Sequence, residues 1–176
     1  ERNLALKRHR LEVKSVLSDP LGCLGISMAI YAGLWTLFCE KTELASWIGF
    51  AGCTTYFACG KKKLQGIGSA LAVNVSGVCW AMLSIGLGNV WGWPGGSAVL
   101  CAFISFMIII QAKIKILSFI PGAYIGCFTT FAAQGDWKMI LPLLFLGAVM
   151  GCMTDLTGES LQKIFSRILT FRRKKC

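Results

Sequence analysis

The chain has a single histidine, His9, and it sits in a basic stretch. Its nine cysteines include no CxxC pair. Zinc sites and thioredoxin-like redox motifs need such ligands at short, defined spacings, so neither has its parts here. Acidic residues number only eight, and their positions say more than their count. No Asp, Glu, Lys or Arg occurs in residues 21–39, 64–88, 97–112 or 139–154. Catalysis needs a nucleophile beside a base, or a carboxylate or His cluster, whereas Asp136, Asp155 and Glu159 are scattered along the chain. The expectation is no catalytic residue, no metal and no cofactor. A proton-coupled pump usually holds an ionisable residue inside the membrane, and none is visible here. Sodium coupling through backbone carbonyls stays open.

What the sequence does have is apolar length. Of 176 residues, 55% are hydrophobic and 15% charged, against about 25% charged in ordinary soluble domains. A helix rising about 1.5 Å per residue needs roughly 20 residues to cross about 30 Å of hydrocarbon. Residues 21–39 and 64–88 meet that length; 97–112 meets it with its uncharged flank from Trp91, and 139–154 is slightly short. Residues 44–59 and 119–134 are also free of charge but shorter and rich in Gly and Thr. Unpaired backbone groups are not tolerated in lipid, so these two are tilted helices or broken segments shielded by protein. The sum is an all-α polytopic protein with six membrane segments.

The formal charge of +10 raises nucleic acid as a partner, and its distribution argues against that. With six spans and a cytoplasmic N-terminus, every basic residue except Lys41 and Lys138 falls on the inner side. Short-loop Lys/Arg bias sets orientation, so both termini are expected in the cytoplasm. Trp47, Trp91, Trp93 and Trp137 then fall at the outer boundary, where amphipathic rings prefer to sit. Cys23, Cys53, Cys79, Cys101, Cys127 and Cys152 lie in apolar segments and read as free structural thiols. The first span is too long for a signal-peptide core and no cleavage site follows it, so no separate leader is expected.

The phrase GCTTYFACG at 52–60 has an echo, GCFTTFAAQG, at 126–135. In register, Gly52, Cys53, Thr55, Phe57 and Ala58 fall on Gly126, Cys127, Thr129, Phe131 and Ala132. One copy lies in the second segment and the other in the fifth. An odd offset in crossings makes the copies run in opposite directions, a 3+3 inverted repeat. The repeats cover about 21–91 and 96–158, within a membrane domain at 21–158; a basic segment at 1–20 precedes it and a basic tail at 159–176 follows. In inverted-repeat transporters, short or Gly/Pro-interrupted segments at matching positions mark the solute path.

Segment five opens on Pro121, which favours a helix's first turn, so a helix is expected from there to about Gly135. Gly122 with Gly126, and Gly147 with Gly151, are small-residue steps that let helices approach closely, and Gly52 is the counterpart of Gly126. For Thr55, Thr129 and Thr130 two readings stand: a hydroxyl bonded to its own helix carbonyl, or a polar lining. Asn74 either bonds between helices or meets solute, and Phe57 and Phe131 would form an apolar constriction. In the tail, Leu161, Ile164, Phe165, Ile168 and Leu169 recur at helical spacing among Lys163, Arg167 and 172–175, a basic amphipathic helix expected on anionic head groups of the inner leaflet.

Through residues 118–152 (SFIPGAYIGCFTTFAAQGDWKMILPLLFLGAVMGC) and 46–60 (SWIGFAGCTTYFACG), the sequence resembles the YcdZ/YahC-like family of small bacterial inner-membrane proteins, a domain of unknown function. The resemblance runs from about Leu21 to Gly158 and leaves out the basic ends. It implies a multi-pass protein of the bacterial inner membrane and transfers no catalytic residue. From the residues themselves, the expected function is a channel or facilitator for a small neutral solute, working as a homo-oligomer. An ion-coupled carrier and a non-transporting scaffold with polybasic termini are the alternatives.

Overall fold

The computed structural model describes residues 19–91 and 95–173. Among these, six α-helices follow one another: α1 (Pro20–Thr42), α2 (Ser46–Ala58), α3 (Lys63–Trp91), α4 (Gly96–Ile110), α5 (Ile120–Ala132) and α6 (Trp137–Arg173). Two 3-10 turns, Gln111–Lys113 and Lys115–Leu117, join α4 to α5. No strand occurs among the described residues. Four stretches are long and apolar enough to cross a membrane: Pro20–Thr42, Lys63–Val90, Gly96–Lys113 and Trp137–Ile168. At 13 residues each, α2 and α5 rise only about 20 Å, short of the hydrocarbon thickness. The order long, short, long therefore occurs twice.

The ends of the short helices have local causes. α5 carries Pro121 in its first turn, where the missing N–H costs nothing. It closes with the N–H of Gln134 bonded to the carbonyl of Phe131 and that of Gly135 to Thr130, the paired bonds of a Schellman cap. Gln134 and Gly135 both take positive φ, 54° and 82°. α2 stops at Cys59, and Gly60 follows at φ 69°.

The chain divides into two compact units. One holds α1 and α6 from Met153 onward. There Ser27 Oγ donates to the Thr154 carbonyl at 2.9 Å, Tyr31 and Thr157 hydroxyls meet at 3.1 Å, and Gly158 admits the backbone of Leu24. α6 is unbroken through this region, and Leu161–Ile168, in the part expected as a basic tail, continue it. Residues 1–18 and 174–176, part of the expected basic ends, lie outside the described residues, as does Trp93.

The other unit spans Glu43–Cys152. Here α3 lies along α5, α4 packs on α3, and the two short helices α2 and α5 touch. Its outer faces are apolar. Phe103, Phe106, Ile109, Tyr124, Phe128 and Phe145 are all exposed, as the lipid-facing side chains of a membrane protein are.

Candidate functional site

Inside the second unit, glycines bring four helices together at backbone distance. A Cβ on Gly52 of α2 would strike the Leu144 carbonyl of α6, and one on Gly147 of α6 would strike the Gly49 carbonyl of α2. α5 and α3 do the same: Gly126 faces the Asn74 backbone and Gly77 faces Ala123. One turn further along both chains, Tyr56 lies against Gly151; one turn back in the other pair, Gly122 faces Val73. So α2 and α6 run alongside each other in the same direction, and so do α5 and α3. Contacts this close are what small residues give membrane helices.

Each of α2, α3 and α5 buries polar side chains, and those of Thr55 and Asn74 meet. Thr55, Thr129 and Thr130 are fully buried, and Asn74 nearly so. The Thr55 methyl carbon would lie 3.0 Å from a Cβ on Gly122, which fixes α5 beside it. Thr55 Oγ1 is 3.0 Å from its own helix's Ala51 carbonyl and 3.1 Å from Asn74 Oδ1. A hydroxyl has one proton, so it serves one of these acceptors at a time. Asn74 Nδ2 is buried with no partner. Turning the amide over would let Nδ2 donate to Thr55 while Thr55 donates to Ala51, and would leave Oδ1 as the orphan instead. Either way one amide atom of Asn74 goes unpaired inside an apolar unit.

The other two threonines take the local bond. Thr129 Oγ1 donates to the Ile125 or Gly126 carbonyl, at 2.7 and 2.9 Å, and Thr130 Oγ1 to Gly126 at 2.8 Å. Their protons are spent, while their lone pairs stay available. Phe57 and Phe131, expected at a constriction, are 39% and 47% exposed. Phe131 continues the outward stripe of Tyr124 and Phe128, while Ala123, Gly126 and Thr130 form the buried face. The phenylalanines of the repeated phrase, Phe57, Phe128 and Phe131, belong to the outside of the unit. Gly52, Gly122, Gly126, Gly147 and Gly151 all sit at helix contacts, and Pro121 is exposed at the start of α5.

Two groups escaped the sequence reading. Tyr56 is buried among Ala70, Ala148 and Cys152, and its hydroxyl accepts the backbone N–H of Lys63 at 2.9 Å. Gln111, at the end of α4, accepts at Oε1 from Ser76 Oγ and, at 2.9 Å, from Trp80 Nε1. Its Nε2 is buried and unpartnered. Because an indole N–H only donates, Oε1 must face Trp80 and the orphan is the amide NH₂. An amide at the end of an apolar run was the available signal. Among the described residues, no group of three or more His, Cys, Asp or Glu is placed to hold a metal, and Cys23, Cys53, Cys79, Cys101, Cys127 and Cys152 are free thiols.

Residues 25–159 match the model of a family described as protein of unknown function (DUF1097). The chain belongs to that family. Within it, the chain is 41% identical over 138 residues to the inner membrane protein YcdZ of Escherichia coli K12, covering 73% of this chain and 79% of the relative. YcdZ of Salmonella typhimurium LT2 is 40% identical over 129 residues, 73% of this chain and 81% of that protein. The E. coli protein YahC is 30% identical over 154 residues, 79% and 91% of the two chains. No solved structure matches. With relatives named for the inner membrane and four helices able to cross it, this DUF1097 protein is a multi-pass inner-membrane protein.

Proposed function

We propose that this DUF1097 protein is a facilitator for a small neutral solute, built as a six-span 3+3 inverted repeat with both termini in the cytoplasm. Its path follows the junction of α2, α3 and α5 and is closed in the conformation described. The observation that carries this reading is Asn74: nearly every buried amide finds a partner, and one left short in a membrane interior is costly enough to call for a purpose. Thr55 beside it, and Thr129 and Thr130 further along α5, would add hydroxyl lone pairs to the path. No charge intrudes there, which favours a neutral cargo and gives an enzyme nothing to work with.

The packing supports the inverted repeat. Ser46–Ala58 and Ile120–Ala132 keep the same spacing at both ends as the repeated glycine-cysteine phrases do. Exchanging the halves sends the contact of α2 with α6 onto that of α5 with α3, Gly52 with Leu144 becoming Gly126 with Asn74. Shared direction within each pair also suits six alternating crossings, because an odd number of crossings, one or three, lies between its members. Self-association and contact of the basic tail with anionic lipid belong to the same proposal.

Proteoliposome flux tests the path. Thr55→Val and Thr129→Val should each lower solute flux several-fold with the protein still folded, since an apolar methyl replaces each lone-pair donor to the path; undiminished flux in both variants discards this lining. The same assay separates the classes: a facilitator passes solute with no gradient partner, a coupled carrier needs one, and a scaffold passes none. Orientation is checked by Lys62→Cys and Lys113→Cys in a cysteine-free background. Both should react with an impermeant thiol reagent from the same side, and labelling from opposite sides ends the six-span topology.

A further inference from the structure

The linker between α4 and α5 has a composition and an exposure that the solute path does not use. Its two 3-10 turns pivot on Ile114, which is extended at φ −83° and ψ 117°. Lys113, Ile114, Lys115 and Ile116 are all exposed, the isoleucines by 55% and 57%. Isoleucines this bare, alternating with lysines, suit neither water nor hydrocarbon. They suit the boundary, where an apolar side chain dips among acyl chains and an ammonium reaches up to the head groups. The stretch Gly96–Lys113 is itself just long enough to end there.

Ser118, also exposed, follows on the same linker. Just before it, Gln111 keeps a buried NH₂ donor that no protein acceptor meets, and Trp80 prevents the amide from turning to hide it. The linker thus offers two cations, with one isoleucine between them and another after them. That chemistry answers oxygen-rich anions attached to hydrocarbon.

We infer that the α4–α5 linker is a binding site for an anionic phospholipid, with Lys113 and Lys115 on the phosphate and Ile114 and Ile116 against the acyl chains. A free phosphate lacks the second half of this match. A zwitterionic lipid carries its own cation and competes with the lysines. This inference does not depend on solute passage, so it stands or falls separately from the proposed function.

The test is the melting temperature of the full chain in neutral detergent, titrated with phosphatidylglycerol, phosphatidylcholine or inorganic phosphate. A ligand that binds only the folded state raises it, and phosphatidylglycerol should do so by roughly 5 °C at saturation. Phosphatidylcholine and inorganic phosphate should give little. Lys113→Gln with Lys115→Gln should keep the lipid-free melting point and lose most of the phosphatidylglycerol shift. Lys163→Gln with Arg167→Gln, in the tail proposed to meet the same head groups, should lose the smaller part of it. An equal shift with phosphatidylcholine or with phosphate overturns the inference, as does an undiminished shift in the linker variant or a loss in the α6 variant as large as in the linker variant.

Discussion

Asn74→Leu is expected to make the protein more stable and to abolish transport. Leucine has the branching of asparagine without its polar atoms, and Leu144 holds the corresponding place at the other glycine crossing. Asn74 is 1% exposed and its Nδ2 lacks a partner. Removing an unsatisfied buried group of this kind returns about 1–3 kcal/mol, less what is lost with the Thr55 bond. For a chain of this length that corresponds to a rise of about 2–6 °C in melting temperature. Thr55 keeps its bond to Ala51, so α2 retains its helical pairing. Flux should fall to the level of empty liposomes, because the variant removes the amide atom that the packed helices leave unpaired. A stabilised variant with normal flux would take Asn74 off the path. A destabilised one would mean that a water or solute already satisfies the amide.

The second large effect is steric. Gly126→Ala would push a methyl into the Asn74 backbone, and Gly77→Ala would push one into Ala123. Neither neighbour is a flexible side-chain end, so α3 and α5 must separate. Overpacking a fitted interior usually costs about 1–3 kcal/mol, and a backbone against a backbone puts these two at or above the upper end. Gly25→Ala and Gly33→Ala in α1 are the contrast: nothing lies within 4 Å of a Cβ at either position, and helix interiors gain about 0.5–1 kcal/mol from the change. Melting curves of the four variants in one detergent should therefore split in sign. Similar behaviour at Gly126 and Gly25 would remove the close crossing from the account.

Much of this was legible in the residues, for identifiable reasons. Charge-free runs locate α1, α3, α4 and α6 because lipid imposes length and apolarity together. Pro121 locates the start of α5, and the repeated phrase locates both short helices in one register. The end of α5 was harder to read, because Gln134, a residue without glycine's freedom, takes the left-handed position. The exposure of Phe57 and Phe131 has no trace in the phrase itself: each follows a buried residue, Tyr56 and Thr130, by about 100° around its helix. Gly77 went unnoticed because its partner is the backbone of Ala123, which leaves no trace in spacing. Gln111 was passed over because its importance lies in Trp80 and Ser76, more than thirty residues away in sequence. The continuity of α6 beyond residue 159 shows that an amphipathic pattern marks a face, and says nothing about where a helix begins.

The contact of α2 with α6 has a bearing on biogenesis. The face of α2 formed by Gly49, Gly52 and Tyr56 leaves the ribosome roughly ninety residues before Leu144, Gly147 and Gly151 exist to cover it. At ordinary elongation speeds of about 5–20 residues per second, that is a wait of several seconds. During it a helix too short to anchor itself must be sheltered by the insertion machinery or lie shallow in the bilayer. Its final depth is settled only when the last helix arrives.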